Sequence, residues 1–199
     1  MTIESAVGRE YGPFAYRTAR PVVDAYVAAT GDDPKRGPDA APRSLAGAML
    51  FVVAPALLGD PAMVGRSVIH GEQVFQWARP IPLDTLLSVA GKVTRVRERG
   101  GVFFVGFDLD VVDGAGTVVS GSSLFMMSGS GSPAGAAAEE AEPKALDGSE
   151  LTPAVEALVD GETLPSLERA ASRADLVRYA GASQDFNPIH WDHAAAVAA

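Results

Sequence analysis

The chain has 199 residues, enough for one well-buried domain with a remainder too short for a second. Its net charge of −9 argues against broad nucleic-acid binding, which needs a basic face, and 47% hydrophobic with 21% charged residues is an ordinary globular balance. It has no cysteine, which excludes disulfides, thiolate nucleophiles and Cys-based zinc sites; the only histidines are His70, His190 and His193, and no metal is expected.

The first residues carry neither a basic stretch nor an apolar core of the secretory kind, so a cytoplasmic protein is expected. The first predicted element is a helix from Thr18 to about Thr30. Pro21 suits its first turn, Val22, Val23, Tyr26 and Val27 follow helical spacing, and Gly31 supplies the stop. After a loop rich in Asp, Pro and Gly comes the apolar run from Ser44 to Gly59, with Ser44 as N-cap. That run is shorter than the roughly 20 residues a membrane span requires, and Pro55 interrupts it. It reads as a helix buried on all sides in a core.

After Gly65 the period changes to that of strands. Val68 to Ala78, Leu86 to Glu98, Val102 to Val112 and Thr117 to Met127 are predicted strands. Pro80-Ile81-Pro82, Arg99-Gly100-Gly101 and Asp113-Gly114 separate them as turns. A buried helix followed by consecutive strands predicts an α+β fold with an antiparallel sheet. Residues 128–165 read as a flexible linker of Gly, Ala, Ser and Glu. Its Gly129-Ser130-Gly131 lacks the Lys-Ser/Thr of a phosphate loop. A further helix then opens on the capping box Ser172 to Asp175, with Leu176, Tyr179 and Ala180 as its apolar stripe and Gly181 near its end.

The chain also matches itself. At an offset of 153, Tyr26 falls on Tyr179, Thr30 on Ser183 and Asp32 on Asp185, and Pro34 reaches Pro188 after one residue of slippage. Both stretches close an amphipathic helix, so a duplication is expected. The copies differ where chemistry would sit. The second reads Asp185-Phe-Asn-Pro-Ile-His190, whereas the first puts Arg36 where the imidazole should be.

Asp185 and His190 are joined by a turn that Asn187 and Pro188 make rigid. A carboxylate and an imidazole on one face can remove an acidic proton next to a carbonyl and protonate a departing hydroxyl. A bare Asp/His pair has a plainer reading: the Asp caps the next helix and the His packs in a partly wet core.

The segment Tyr179 to Asp192, YAGASQDFNPIHWD, resembles the signature of the MaoC-like dehydratases, also called the R-specific enoyl-CoA hydratase 2 group. That resemblance implies Asp185 and His190 as the catalytic pair, with Asn187 supporting their loop. The usual pattern has Gly before the Asp, and this chain has Gln184. About residues 5 to 127, through VGREYGPFAY, ATGDDP and VIHGEQVFQWARPI, are similar to the FAS1-like dehydratase N-terminal domain. They also resemble the dyad-less subunits of mycobacterial-type hydroxyacyl-carrier-protein dehydratases. The resemblances imply a hot-dog fold, a sheet wrapped on a central helix. Residues 1–127 would be one unit without the full dyad, and 166–199 the start of a second that carries it. Counterparts of the remaining elements would fall at about 197–280. The expectation is therefore that residues beyond 128 pack poorly and that these 199 residues alone are inert.

The implied reaction is dehydration of (3R)-3-hydroxyacyl thioesters, or hydration of trans-2-enoyl thioesters, on CoA or an acyl carrier protein. No cofactor is implied, and the expected partners are the thioester and other hot-dog units in a homo- or hetero-oligomer, such as a dimer. A non-catalytic acyl-binding scaffold is the alternative, and a hot-dog thioesterase is a third. Arg95, Arg97 and Arg99 alternate along a strand and share a face that could greet the phosphates of CoA or phosphopantetheine. A solvated sheet face is the plainer reading of them. His70 is expected to be structural, His193 to lie at the surface, and Trp77, Phe103 and Phe104 to be strand packing residues.

Overall fold

The strand-period half of the chain folds into a single antiparallel sheet. The computed structural model describes residues 1–33, 35, 39–128 and 170–198. Arg36 and, apart from Ser128, the linker expected over 128–165 lie outside the described residues. In chain order the elements are β1 (Glu10–Arg17), α1 (Arg20–Thr30), β2 (Ala40–Ala41), α2 (Leu45–Leu58), β3 (Val68–Trp77), β4 (Ile81–Pro82), β5 (Leu86–Arg99), β6 (Val102–Asp113), β7 (Gly116–Ser128), α3 (Arg173–Ser183) and α4 (His193–Ala198). The main sheet runs β1-β5-β6-β7-β3, with every neighbouring pair antiparallel, and β2 pairs with β4 in a small second sheet.

One face of the sheet is closed by α2. Leu45, Met49, Leu50, Val53 and Leu57 are buried on the helix, and Val89, Val93, Val105, Phe107, Leu109 and Val111 are buried on β5 and β6. Each fully buried side chain of this kind contributes about 1.5–3 kcal/mol, so the helix–sheet contact dominates the stability. The expectation of a helix buried on all sides needs refining, because the stripe Gly47, Phe51, Ala54, Pro55 and Leu58 keeps partial or full exposure.

Three local expectations are corrected. The first helix begins at Arg20, because Thr18 is withdrawn to a buried position where its hydroxyl bonds the Pro82 and Thr85 carbonyls. Ser44 stands at the head of α2 but has helical angles, φ −60° and ψ −20°, and its side chain caps nothing. The residues beyond 128 are not uniformly loose: α3 packs against α1 and α2, and Ala180 and Ser183 are buried. The strand at Glu10–Arg17 was not expected either, since Gly12-Pro13 reads as a break; a register shift between Tyr11 and Phe14 absorbs those two residues.

Candidate active site

α3 delivers the Asp–His turn. Its start is fixed by the expected capping box, in which the Ser172 side chain accepts from the Asp175 amide and Asp175 accepts from the Ser172 amide. Its end is fixed by Gln184, which adopts φ 63° and ψ 20°. Gly31 ends α1 with φ 64° and ψ 28° at the equivalent place in the repeat. The backbone therefore turns the same way after both helices, although only α1 has the glycine that does so without strain.

The turn that follows is held from within. The Asn187 amide donates to Asp185 Oδ1 at 3.4 Å, the Asn187 side chain accepts from the Ile189 amide at 3.4 Å, and Pro188–His190 form one 3-10 turn. This fold-back brings His190 Nε2 to 3.6 Å from Asp185 Oδ2. The separation is longer than a hydrogen bond. The Asp185 side chain is 13% exposed and that of His190 53%. The plainer reading of the pair does not describe this geometry. Asp192, not Asp185, accepts from the first amides of α4, at 2.8 and 3.1 Å, and His190 is open to solvent rather than in a core.

Sequence reasoning missed Tyr26 and Tyr179 as neighbours of this turn. Their rings pack with centroids 6.2 Å apart, and the pKa of the Tyr179 hydroxyl is pushed up to about 12 by burial, with Tyr26 and Asp185 adding to the rise. Their equivalence in the repeat was visible; that equivalent residues would touch was not.

The stretch after α1 offers a different surface. Asp32 lines a cleft between α1 and the approach to α2, with Asp24, Asp33 and Arg43 among its neighbours. The amides of Leu45, Ala46 and Gly47 at the start of α2 already bond the carbonyls of Pro42, Arg43 and Ser44. They are not free to hold a substrate oxygen.

Arg95, Arg97 and Arg99 do come together, around a shallow depression with Phe104 and Leu124. A bulge between Val93 and Arg95 sets them on the sheet face opposite the buried one. The Asp185–His190 turn follows α3, on the helical side, so the structure does not place the arginines beside it. His70 is exposed and stacks on Phe125 at 4.9 Å, and His193 is exposed. Trp77 packs on Phe75 at 5.9 Å, Arg66 lies 4.7 Å over the Phe103 ring, and Phe104 faces the arginine depression. No group of metal-ligating side chains converges among the described residues. None of the described helices is long and apolar enough to cross a membrane.

No protein-family model matches the chain, and no curated protein matches it. Solved structures do. A MaoC-like dehydratase superposes with a TM-score of 0.77 at 22% identity, covering 100% of this chain and 72% of that one. HtdX of Mycobacterium tuberculosis gives 0.63 at 21% identity, covering 94% of this chain and 66% of its own. The C-terminally truncated HadBC (3R-hydroxyacyl-ACP dehydratase) complex from the same organism gives 0.52 at 18%, over 61% of this chain and 96% of that one. At these identities the likeness is one of fold. The α+β fold expected from the sequence is the one observed: this chain has the hot-dog fold that the MaoC-like dehydratase, HtdX and HadBC share.

Proposed function

We propose that the protein is a hydro-lyase that dehydrates (3R)-3-hydroxyacyl thioesters or, in reverse, hydrates trans-2-enoyl thioesters, with Asp185 and His190 as its acid–base pair. The observation that carries this reading is the approach of the two side chains to 3.6 Å on a turn whose own hydrogen bonds hold it. In the dehydration direction the pair removes the proton from C2, which the thioester carbonyl acidifies. The C3–O bond breaks, the C2–H electrons become the new double bond, and the leaving hydroxyl takes a proton and departs as water. Nothing in this balance requires a redox partner. Asn187 keeps the turn in shape, and other hot-dog units are the proposed partners in assembly. Arg95, Arg97 and Arg99 are the proposed dock for the carrier's phosphates. A phosphate dock touches no reacting atom, so replacing all three by Ala should raise KM and leave kcat within about twofold, the pattern of lost uniform binding.

The test is crotonyl-CoA incubated with the natural protein and followed by mass spectrometry. A gain of one water supports the proposal. Release of free CoA would make the protein a thioesterase instead. No change would favour a non-catalytic acyl-binding scaffold, a reading to which the occupied amides at the start of α2 already lend some support for the first unit.

A further inference from the structure

Ser183 is the last residue of α3, and it is wholly buried. Its hydroxyl donates to the Tyr179 carbonyl at 2.7 Å, one turn back, and accepts from the Asp185 amide at 3.3 Å. One side chain thus joins the last turn of the helix to the main chain of the candidate acid–base pair. The helix end before Asp32 is closed differently. Thr30, which falls on Ser183 at an offset of 153, also donates to the carbonyl one turn back, that of Tyr26, at 3.0 Å. The Asp32 amide, however, goes to the Val27 carbonyl at 3.1 Å, the main-chain bond that commonly closes a helix ending on glycine. At Asp185 the Ser183 hydroxyl takes the place of that carbonyl. Gln184 between them holds φ 63° without being glycine, so the path from α3 to the aspartate is one that the side chain resists and Ser183 fixes.

We propose that Ser183 is a positioning residue for Asp185: its hydroxyl sets the main chain from which the carboxylate reaches toward His190. The proposal rests on reading Asp185 and His190 as the acid–base pair. The carboxylate has a further hold within the turn, where the Asn187 amide donates to Oδ1 at 3.4 Å. That bond fixes the carboxylate relative to its own turn, whereas the Ser183 bond fixes the turn relative to the helix. Without the hydroxyl the Asp185 amide loses its acceptor, and the turn is free to swing about Gln184. Displacing a catalytic group by a fraction of an ångström is costly, so a buried hydroxyl that touches no substrate can govern the rate.

The experiment compares Ser183→Ala, Ser183→Thr, Ala180→Gly and His190→Ala of the natural protein in crotonyl-CoA hydration well below the melting range, with Tm measured for each. Ser183→Ala removes only the hydroxyl. It should lower kcat about tenfold and leave KM within about twofold. Ala180→Gly loosens the same buried end of α3 and lowers Tm, but it leaves the hydroxyl in place, so kcat should stay within about twofold of wild type. Ser183→Thr should recover most of the rate, since Thr30 makes the equivalent bond to the carbonyl one turn back in α1. Wild-type kcat for Ser183→Ala, or an equal kcat loss in Ala180→Gly, would mean that the residue only packs, and would overturn the proposal. So would a Thr variant that melts like wild type and is as slow as the Ala variant. Full turnover by His190→Ala would remove the acid–base reading itself, a failure seen without reference to Ser183.

Discussion

Gln184 is one of two described residues other than glycine with a positive φ, and it sits immediately before the aspartate of the site. A side chain in that conformation costs roughly 1 kcal/mol that glycine would not. Gln184→Gly should therefore stabilise the protein by about 0.5–1 kcal/mol in denaturant melts, part of the gain being lost to the freer unfolded chain. A loss of stability would show that the Gln184 side chain makes a compensating contact. Gly91 is the opposite case. A Cβ there would lie 2.1 Å from the Phe107 ring, which is wholly buried. Gly91→Ala should cost about 1–3 kcal/mol, and a neutral result would mean that the ring can move aside.

Asp60 carries the pH-dependent part of the stability. Burial alone would raise its pKa, but the Ala62 amide and the side chains of Arg9 and Tyr11 outweigh that and hold it below the ordinary 3.8. A depressed folded-state pKa contributes stability that is present above the ordinary value and lost as pH falls through the folded one. Asp60→Asn should thus destabilise by on the order of 2 kcal/mol near pH 7, with the gap to wild type closing below pH about 4. A gap that stays constant down to pH 2 would contradict the assignment. None of this network could be read from the sequence, since Arg9 and Asp60 lie 51 positions apart and meet only when β1 crosses the end of α2.

At the scale of elements, the strands were legible because alternation and turn chemistry agree: β3, β5, β6 and β7 begin and end within a residue or two of the predicted bounds. β1 was not, because its Gly12-Pro13 carries the local signature of a turn and only pairing with β5 makes a strand of it. The Asp–His turn was legible for the reverse reason, its shape being set by Asn187 and Pro188 without tertiary help. In α2, Pro55 lacks the amide that would bond back along the helix, and it sits on the exposed stripe where the freed carbonyl can meet water. Pro55→Ala should restore that bond and raise stability by about 1–3 kcal/mol in thermal or denaturant unfolding. If the variant is less stable, Pro55 has a packing role that the helix geometry does not reveal.

Across the whole molecule the two stretches that match at an offset of 153 are unequal in what their surroundings supply. The first has the complete sheet, a finished helix cap at Gly31 and a core. The second has the aspartate, the imidazole and an α3 region whose Leu176, Val177 and Phe186 face solvent. The self-match was visible in the sequence, and so was the lack of an imidazole in its first stretch. What could not be seen is that Tyr26 and Tyr179 touch, since an offset in sequence does not say that the residues it relates meet in space. The central claim is that chemistry belongs to Asp185 and His190 and not to the first copy's Asp32. The most direct measurement is kcat/KM for enoyl-thioester hydration by His190→Ala, Asp185→Asn and Asp32→Asn made in the same natural protein. The first two should each fall at least about a hundredfold, the loss expected for a general acid or base, while Asp32→Asn stays near wild type. Equal losses at Asp32 and Asp185, or undiminished turnover without the His190 imidazole, would contradict the account.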